Sequence, residues 1–429
     1  MITAIRNGTL TDAKGSRKAD LFIQDGVILG ENLDVTPDET VDASGLTVTP
    51  AFLDLHVHLR VPGQEVKEEL TTGLAAATAG GFGTVVSMAN TDPVVDDPAL
   101  VASLIEQAER IGLARLRPAA TLSVGIKGEQ LSDYAALQQA GAVMITDDGI
   151  PVADSHLMRR AAEYVRELGL VIQTHSEDPS LRQDGVMNEG TVSQELGLPG
   201  NPAAAEAVAI FRDCEVALMT GARVHIAHVS SKRGMQVIEW FKSLGAPVTA
   251  EVTPQHLTLT DESLRSFNPV FKVAPPLRTQ EDVDWLIDAV NRGVVDSIGT
   301  DHAPHTRAEK ERDLLQAPFG IANLEVTFPL LYTRLVQTGK LSLERLLELL
   351  QGGPARVMGW TEPVLTEGAP ADLTLLDLQT VREVEPEKFL SKARFGPWDG
   401  EQLSGWPVRT FVRGRPVYSR ETAQAEQAS

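Results

Sequence analysis

The chain has 429 residues, 42% of them hydrophobic and 23% charged, a composition ordinary for a folded globular protein. With 59 acidic residues against 38 basic ones, the net charge of −21 excludes nonspecific binding to nucleic acid or anionic membranes, which needs the opposite sign. Cys214 is the single cysteine, so an intrachain disulfide and a thiolate metal cluster are both excluded.

The first fifty residues read as short strands joined by turns. Asn7-Gly8 and Asp25-Gly26 are dipeptides of tight hairpins between β-favouring runs. "MITAIRNGTLTDAKG" contains no apolar leader region, and no run approaches the roughly 18 apolar residues of a membrane span. From residue 51 the texture changes to apolar strand followed by amphipathic helix, repeated. Strands are expected at 52–58, 83–88, 115–124, 141–146, 169–175, 222–229, 246–252 and 294–300. Helices fall between them, such as "DPALVASLIEQAERIG" and "SKRGMQVIEWFKSLG", the latter stopped by its glycine. Cys214 sits in another helical segment, "AEAVAIFRDCEVALMTG", and reads as a buried inert thiol, which fits a reducing cytoplasm.

Eight such repeats predict an α/β protein with a parallel sheet closed into a (β/α)8 TIM-type barrel. The alternative is an open doubly wound sheet, but no Gly-x-Gly-x-x-Gly follows the first strand. Strand-like runs return at 371–380 and 406–420, with a turn at Arg413-Gly414. Neither end has strands enough for a sandwich alone. Residues 1–50 and 361–429 are therefore expected to build one small β-sandwich domain, with 51–360 as the barrel. The polar tail "SRETAQAEQAS" is expected to fray.

The chemistry begins in "DLHVHLR", residues 54–60. On a strand, His56, His58 and Arg60 share one face while Leu55, Val57 and Leu59 share the other. Barrels carry their active sites at the C-terminal ends of the strands. Those ends hold His56 and His58, then Asn90, the pair Asp147-Asp148, His175, His228 and Asp301. Imidazoles and carboxylates converging on one mouth suit zinc or a similar divalent ion. Of the other histidines, His156 reads as a surface residue. His225 faces away from His228, and His302 away from Asp301, while His305 can reach back from its loop. His256 is expected to support the site from behind.

Taken together, "DLHVHLRVPG", "ITDDG", "THSED", "HIAHVSS", "GTDHAPHT" and "APFGI" resemble the amidohydrolase superfamily, and within it the class I bacterial dihydroorotase family. The resemblance runs through nearly the whole chain. It implies that His56, His58 and Asp301 hold one metal and His175 and His228 a second, two zinc ions per subunit. Related hydantoinases bridge their metals with a carboxylated lysine from strand 4. "GAVMITDDG" has no lysine, and the family's bridging aspartate falls on Asp148.

The implied activity is the reversible closure of N-carbamoyl-L-aspartate to L-dihydroorotate, a step of pyrimidine biosynthesis. Asp301 would be the catalytic proton carrier. Arg60, Asn90 and His305 would contact the substrate carboxylate, with His58 beside them, and the backbone of Phe319 and Gly320 would contact the ring amide. The charged stretch "TRAEKERDLLQAPFG" is expected to loop over the mouth. A homo-oligomer and association with aspartate transcarbamoylase are further implications. The competing readings are another cyclic amidase, of hydantoinase or allantoinase type, and an inactive homologue that serves only as a partner of aspartate transcarbamoylase. Two positions depart from the family pattern: Ala274 stands before "PPLR" where asparagine is usual, and Ala89 where proline is common.

Overall fold

The computed structural model describes residues 1–421, so most of the tail expected to fray lies outside the described residues. All eight expected strands form, in one parallel sheet. They are β1 (Phe52–Val57), β2 (Phe82–Ser87), β3 (Arg115–Ala120), β4 (Met144–Ile145), β5 (Val171–Thr174), β6 (Arg223–Ile226), β7 (Val248–Val252) and β8 (Ser297–Ile298). Their order in the sheet is their order in the chain, which rules out the doubly wound alternative. Closure comes just beyond β8. Val57 bridges His302 in parallel, and the His58 amide donates to the His302 carbonyl at 2.8 Å.

Most of the strands are shorter than the runs that announce them, and in β4, β5, β7 and β8 residues on the approach to the strand stay outside the ladder. The helices begin and end on their own signals. In Pro98–Ile111, Asp97 caps the first turn by accepting from the Ala99 amide, and Gly112 ends it at φ 73°. In Lys232–Ser243, Ser231 accepts from the Gly234 amide. Cys214 lies buried in the helix Ala203–Thr220.

A six-stranded sheet draws on both chain ends, in the order Arg415–Ser419, Trp406–Val412, Leu373–Asp377, Thr47–Pro50, Thr9–Asp12, Gly15–Lys18. A four-stranded sheet of N-terminal strands faces it across a core that includes Ile5, Leu10, Leu21, Leu373 and Phe411. Asp25-Gly26 and Arg413-Gly414 make tight hairpins, each with both residues at positive φ.

Asn7-Gly8 does not. Ile2–Arg6 pairs with Leu21–Gln24 and Glu39–Asp42, whereas Thr9–Asp12 pairs in the other sheet. The dipeptide is thus a crossing between two sheets. Gly8 is needed there because a Cβ would come within 2.8 Å of Val48.

Candidate metal centre

Strand β1 aims Asp54 and His56 into the barrel, and His58 follows just past its end; all three are buried. Arg60 reaches the same side by a turn rather than by strand alternation, since β1 stops at Val57 and Arg60 has φ 62°. His228 (φ 35°) and Asp301 (φ 49°) share this left-handed backbone. Such a conformation costs about 1–3 kcal/mol per residue and persists only where the surroundings enforce it.

Around Asp148 the imidazoles converge. Its Oδ1 lies 3.4 Å from His56 Nε2 and 3.7 Å from both His175 Nδ1 and His228 Nε2, and its Oδ2 lies 3.5 Å from His58 Nε2. Two groups able to hold a metal ion result, His56/His58/Asp148 and Asp148/His175/His228, sharing the aspartate. Asp301 joins from the side of His58, with Oδ1 3.1 Å from His58 Nε2 and 3.7 Å from His56 Nε2.

The donor set fits a divalent cation. His56 Nε2 and Asp148 Oδ1 are buried with no hydrogen-bond partner among the described residues, a costly arrangement unless a cation takes their lone pairs. Burial opposes charge on both groups, but the proximity of opposite charges wins. Asp148 and Glu251 hold His56 well above the usual imidazole range, and the histidines hold Asp148 well below the usual carboxylate range. His175 is raised to about 9, against burial, by Asp148 and Glu177.

Behind the imidazoles stands a layer of carboxylates. Glu251 on β7 places Oε1 2.7 Å from His56 Nδ1 and Oε2 3.1 Å from His225 Nε2. Glu177 places Oε2 2.8 Å from His175 Nε2, which leaves Nδ1 to face Asp148. Such partners fix the tautomer and orientation of ligating imidazoles. Glu251 escaped the sequence reading, although a lone glutamate in the otherwise apolar "VTAEV" strand was a usable signal. Glu177 lay inside a quoted motif without a role.

The remaining histidines fall as follows. His156 is exposed. His225 sits deeper in the barrel than His228, and its Nδ1 bonds Thr249. His302 turns from Asp301 and accepts from the Asn323 amide. His256 bonds the Pro275 carbonyl at 2.9 Å and is lowered to about 4 by burial, so its neutral ring backs the 274–275 segment rather than touching the carboxylates. Asp147 faces away from Asp148 and accepts from the Leu122 and Ser123 amides.

At the mouth, Asn90 Oδ1 lies 3.1 Å from His58 Nδ1, and its amide donates to the Asp148 carbonyl. Arg60 donates through Nε to the Pro304 carbonyl, and its Nη2 lies 3.2 Å from His305 Nε2. His305 Nε2 is also 2.8 Å from the Phe319 carbonyl. The loop 306–320 has one helical turn, Arg307–Lys310, and two buried ammonium groups pin it. Lys310 Nζ donates to the Lys272 and Pro318 carbonyls, and Lys272 Nζ to those of Leu314 and Leu315. A cavity of about 140 Å³ opens here, lined by His58, Arg60, Asp148, Asp301, Phe319 and others.

Residues 45–234 match the model of the Dihydro-orotase-like family. A dihydroorotase of Deinococcus radiodurans is 55% identical over 416 residues, 96% of this chain and 99% of that one. The chain belongs to the dihydroorotase family. Another member, the dihydroorotase of Thermus aquaticus, is 51% identical over 96% of this chain and 98% of its own. Among solved structures, an L-hydantoinase from Arthrobacter aurescens aligns with a TM-score of 0.88 at 26% identity, covering 97% of this chain and 96% of that one. Dihydroorotases and hydantoinases thus share this fold. In this chain Asp148, three residues beyond β4, takes the central place among the imidazoles. Among the described residues, no helix is long and apolar enough to cross a membrane.

Proposed function

We propose that the protein is an active dihydroorotase, interconverting N-carbamoyl-L-aspartate and L-dihydroorotate with two zinc ions. His56, His58 and Asp301 would hold one ion, His175 and His228 the other, and Asp148 would bridge them. The observation that carries the reading is the convergence of four imidazoles on the Asp148 carboxylate, three of them on its unpartnered Oδ1, in a chain 55% identical to a dihydroorotase. Such a metal pair lowers the pKa of a bound water from about 15.7 toward 7 and polarises the amide carbonyl.

The chain's own residues do the rest. Asp301, held ionised by His58 and His56 against the effect of burial, takes a proton from the attacking water at a carboxylate oxygen. It returns that proton to the ring nitrogen as the N–C bond breaks, and the roles reverse for ring closure. Arg60, with Asn90 and His305 around it, receives the carboxylate that does not react, which suits a planar guanidinium. The backbone at Phe319 and Gly320 meets the ring amide, and the loop pinned by Lys272 and Lys310 limits water at the mouth.

The division into a barrel at 51–360 and a β domain from 1–50 and 361–429 belongs to the same reading, supported by the six-stranded sheet that uses both ends. Self-association is supported by the exposed Phe211, Met219 and Trp240 on neighbouring helices, and light scattering tests it. Cytoplasmic residence is supported by the lone buried thiol. Association with aspartate transcarbamoylase rests on the family resemblance, and gel filtration of the mixed proteins tests it. The hydantoinase alternative has only 26% identity behind it and lacks the strand 4 lysine.

The decisive experiment measures bound metal in the purified protein and follows hydrolysis of dihydroorotate, hydantoin and allantoin side by side. Zinc with turnover of dihydroorotate alone is expected. Full metal occupancy without dihydroorotate turnover would defeat the reading.

A further inference from the structure

Ala274, at the position where the resemblance implies asparagine, lines the mouth cavity, and Arg182 lines it too. Arg182 ends the short helix Pro179–Arg182, and 22% of its side chain is exposed. Its Nε is buried without a hydrogen-bond partner among the described residues, and the nearest carboxylate oxygen, on Glu177, is 3.6 Å away. Glu177 itself is engaged with His175 and Asn201. The guanidinium carbon lies 5.1 Å from the centre of the Phe319 ring, which also carries Lys272 Nζ at 4.6 Å. A guanidinium so placed is oriented by the aromatic ring and by the charge of Glu177, while its donors make no hydrogen bond among the described residues.

We propose that Arg182 is a substrate-binding residue that replaces the side chain missing at Ala274, donating to the carbonyl oxygen of the substrate's ureido group. This rests on the dihydroorotase reading. An asparagine at 274 would offer one amide edge to the planar ureido group, and the guanidinium fork offers a planar edge from the same cavity lining. The remaining polar groups of the substrate have other partners. Arg60, tied to Pro304 and His305, meets the unreactive carboxylate, and the reacting carbonyl faces the Asp148 cluster. Arg182 then sets affinity for the ureido group without entering the proton transfers.

The competing role for Arg182 is structural, as a counter-charge that steadies Glu177 and, through it, His175. Steady-state kinetics in both directions, with metal content measured on the same samples, separate the two. For Arg182→Ala, KM is expected to rise about tenfold or more, with kcat changed little and metal content equal to wild type. Adding Ala274→Asn to that variant is expected to recover most of the lost affinity. Calorimetric binding of dihydroorotate to the zinc-loaded proteins should follow the same order. If Arg182→Ala folds poorly, Arg182→Lys, which keeps the charge and loses the fork, is expected to raise KM by a smaller factor.

An unchanged KM, or a fall in kcat and metal content at constant KM, overturns the proposal while leaving the dihydroorotase reading intact. Wild-type protein that binds zinc but does not turn over dihydroorotate overturns both.

Discussion

Glu251 on β7 reaches His56 on β1, with its Oε1 2.7 Å from His56 Nδ1. The bond commits the other ring nitrogen, Nε2, to the side of Asp148 and Asp301. The same carboxylate holds His225, so one buried acid organises two histidines from different strands. Replacing Glu251 by Gln keeps the volume and removes the charge that raises the basicity of His56. Zinc affinity, measured by competition with a chromogenic chelator, is expected to fall by about 10–100-fold. An affinity equal to wild type would show that His56 needs no such support.

Asp148 is shared by both candidate metal groups, whereas each histidine belongs to one. Asp148→Asn should therefore weaken both sites at once. Elemental analysis after gel filtration is expected to give about one zinc ion or fewer per chain, against about two for wild type. His175→Ala, which touches one group only, should keep the ion held by His56 and His58. Equal losses in the two variants would contradict the bridging arrangement.

Asp301 combines a left-handed backbone with a carboxylate 3.1 Å from His58. Asparagine tolerates that backbone better than alanine does, so Asp301→Asn isolates the loss of the proton carrier from a change in chain path. Its kcat is expected to fall by about 10²–10⁴-fold with the circular dichroism spectrum unchanged. Activity within a few-fold of wild type would reassign the proton transfer to another group.

The barrel was readable because each strand carries an apolar run and each helix carries its own stop, such as Gly112 and Gly245. The convergent residues were readable because strand ends map to one rim. Three features were not. Asn7-Gly8 has the dipeptide of a hairpin, but pairing is decided by which sheet the flanking apolar residues can join, a tertiary matter. Arg60 shares a face with His58 through a turn at positive φ, which no periodicity encodes. Glu251 stands out in sequence as a lone acid in an apolar strand, but its role does not, because a buried acid is favourable only beside partners and His56 lies 195 residues away. The resemblance puts Asp148 among the histidines; what the structure adds is the place of Asp147, turned toward the 122–123 backbone.

Glu325 gives a pH signature that does not involve the metal groups. It is buried and accepts from the Leu390 and Ser391 amides at 2.9 and 3.1 Å, which ties the barrel to the 390–391 segment. Burial raises its pKa from the ordinary 4.5 to about 8, more than those two bonds lower it. Below about pH 4.5 the group is protonated whether the chain is folded or not, so its burial carries no ionisation penalty. As pH rises toward 8 the unfolded chain releases the proton first, and the folded state loses up to about 1.4 kcal/mol per pH unit relative to it. Glu325→Gln keeps an acceptor for both amides and cannot titrate. Urea unfolding at pH 5, 6.5 and 8, with zinc saturating, should therefore show the variant gaining on wild type steadily across the series. A difference that stays constant over that range would mean that Glu325 is already ionised in the folded protein.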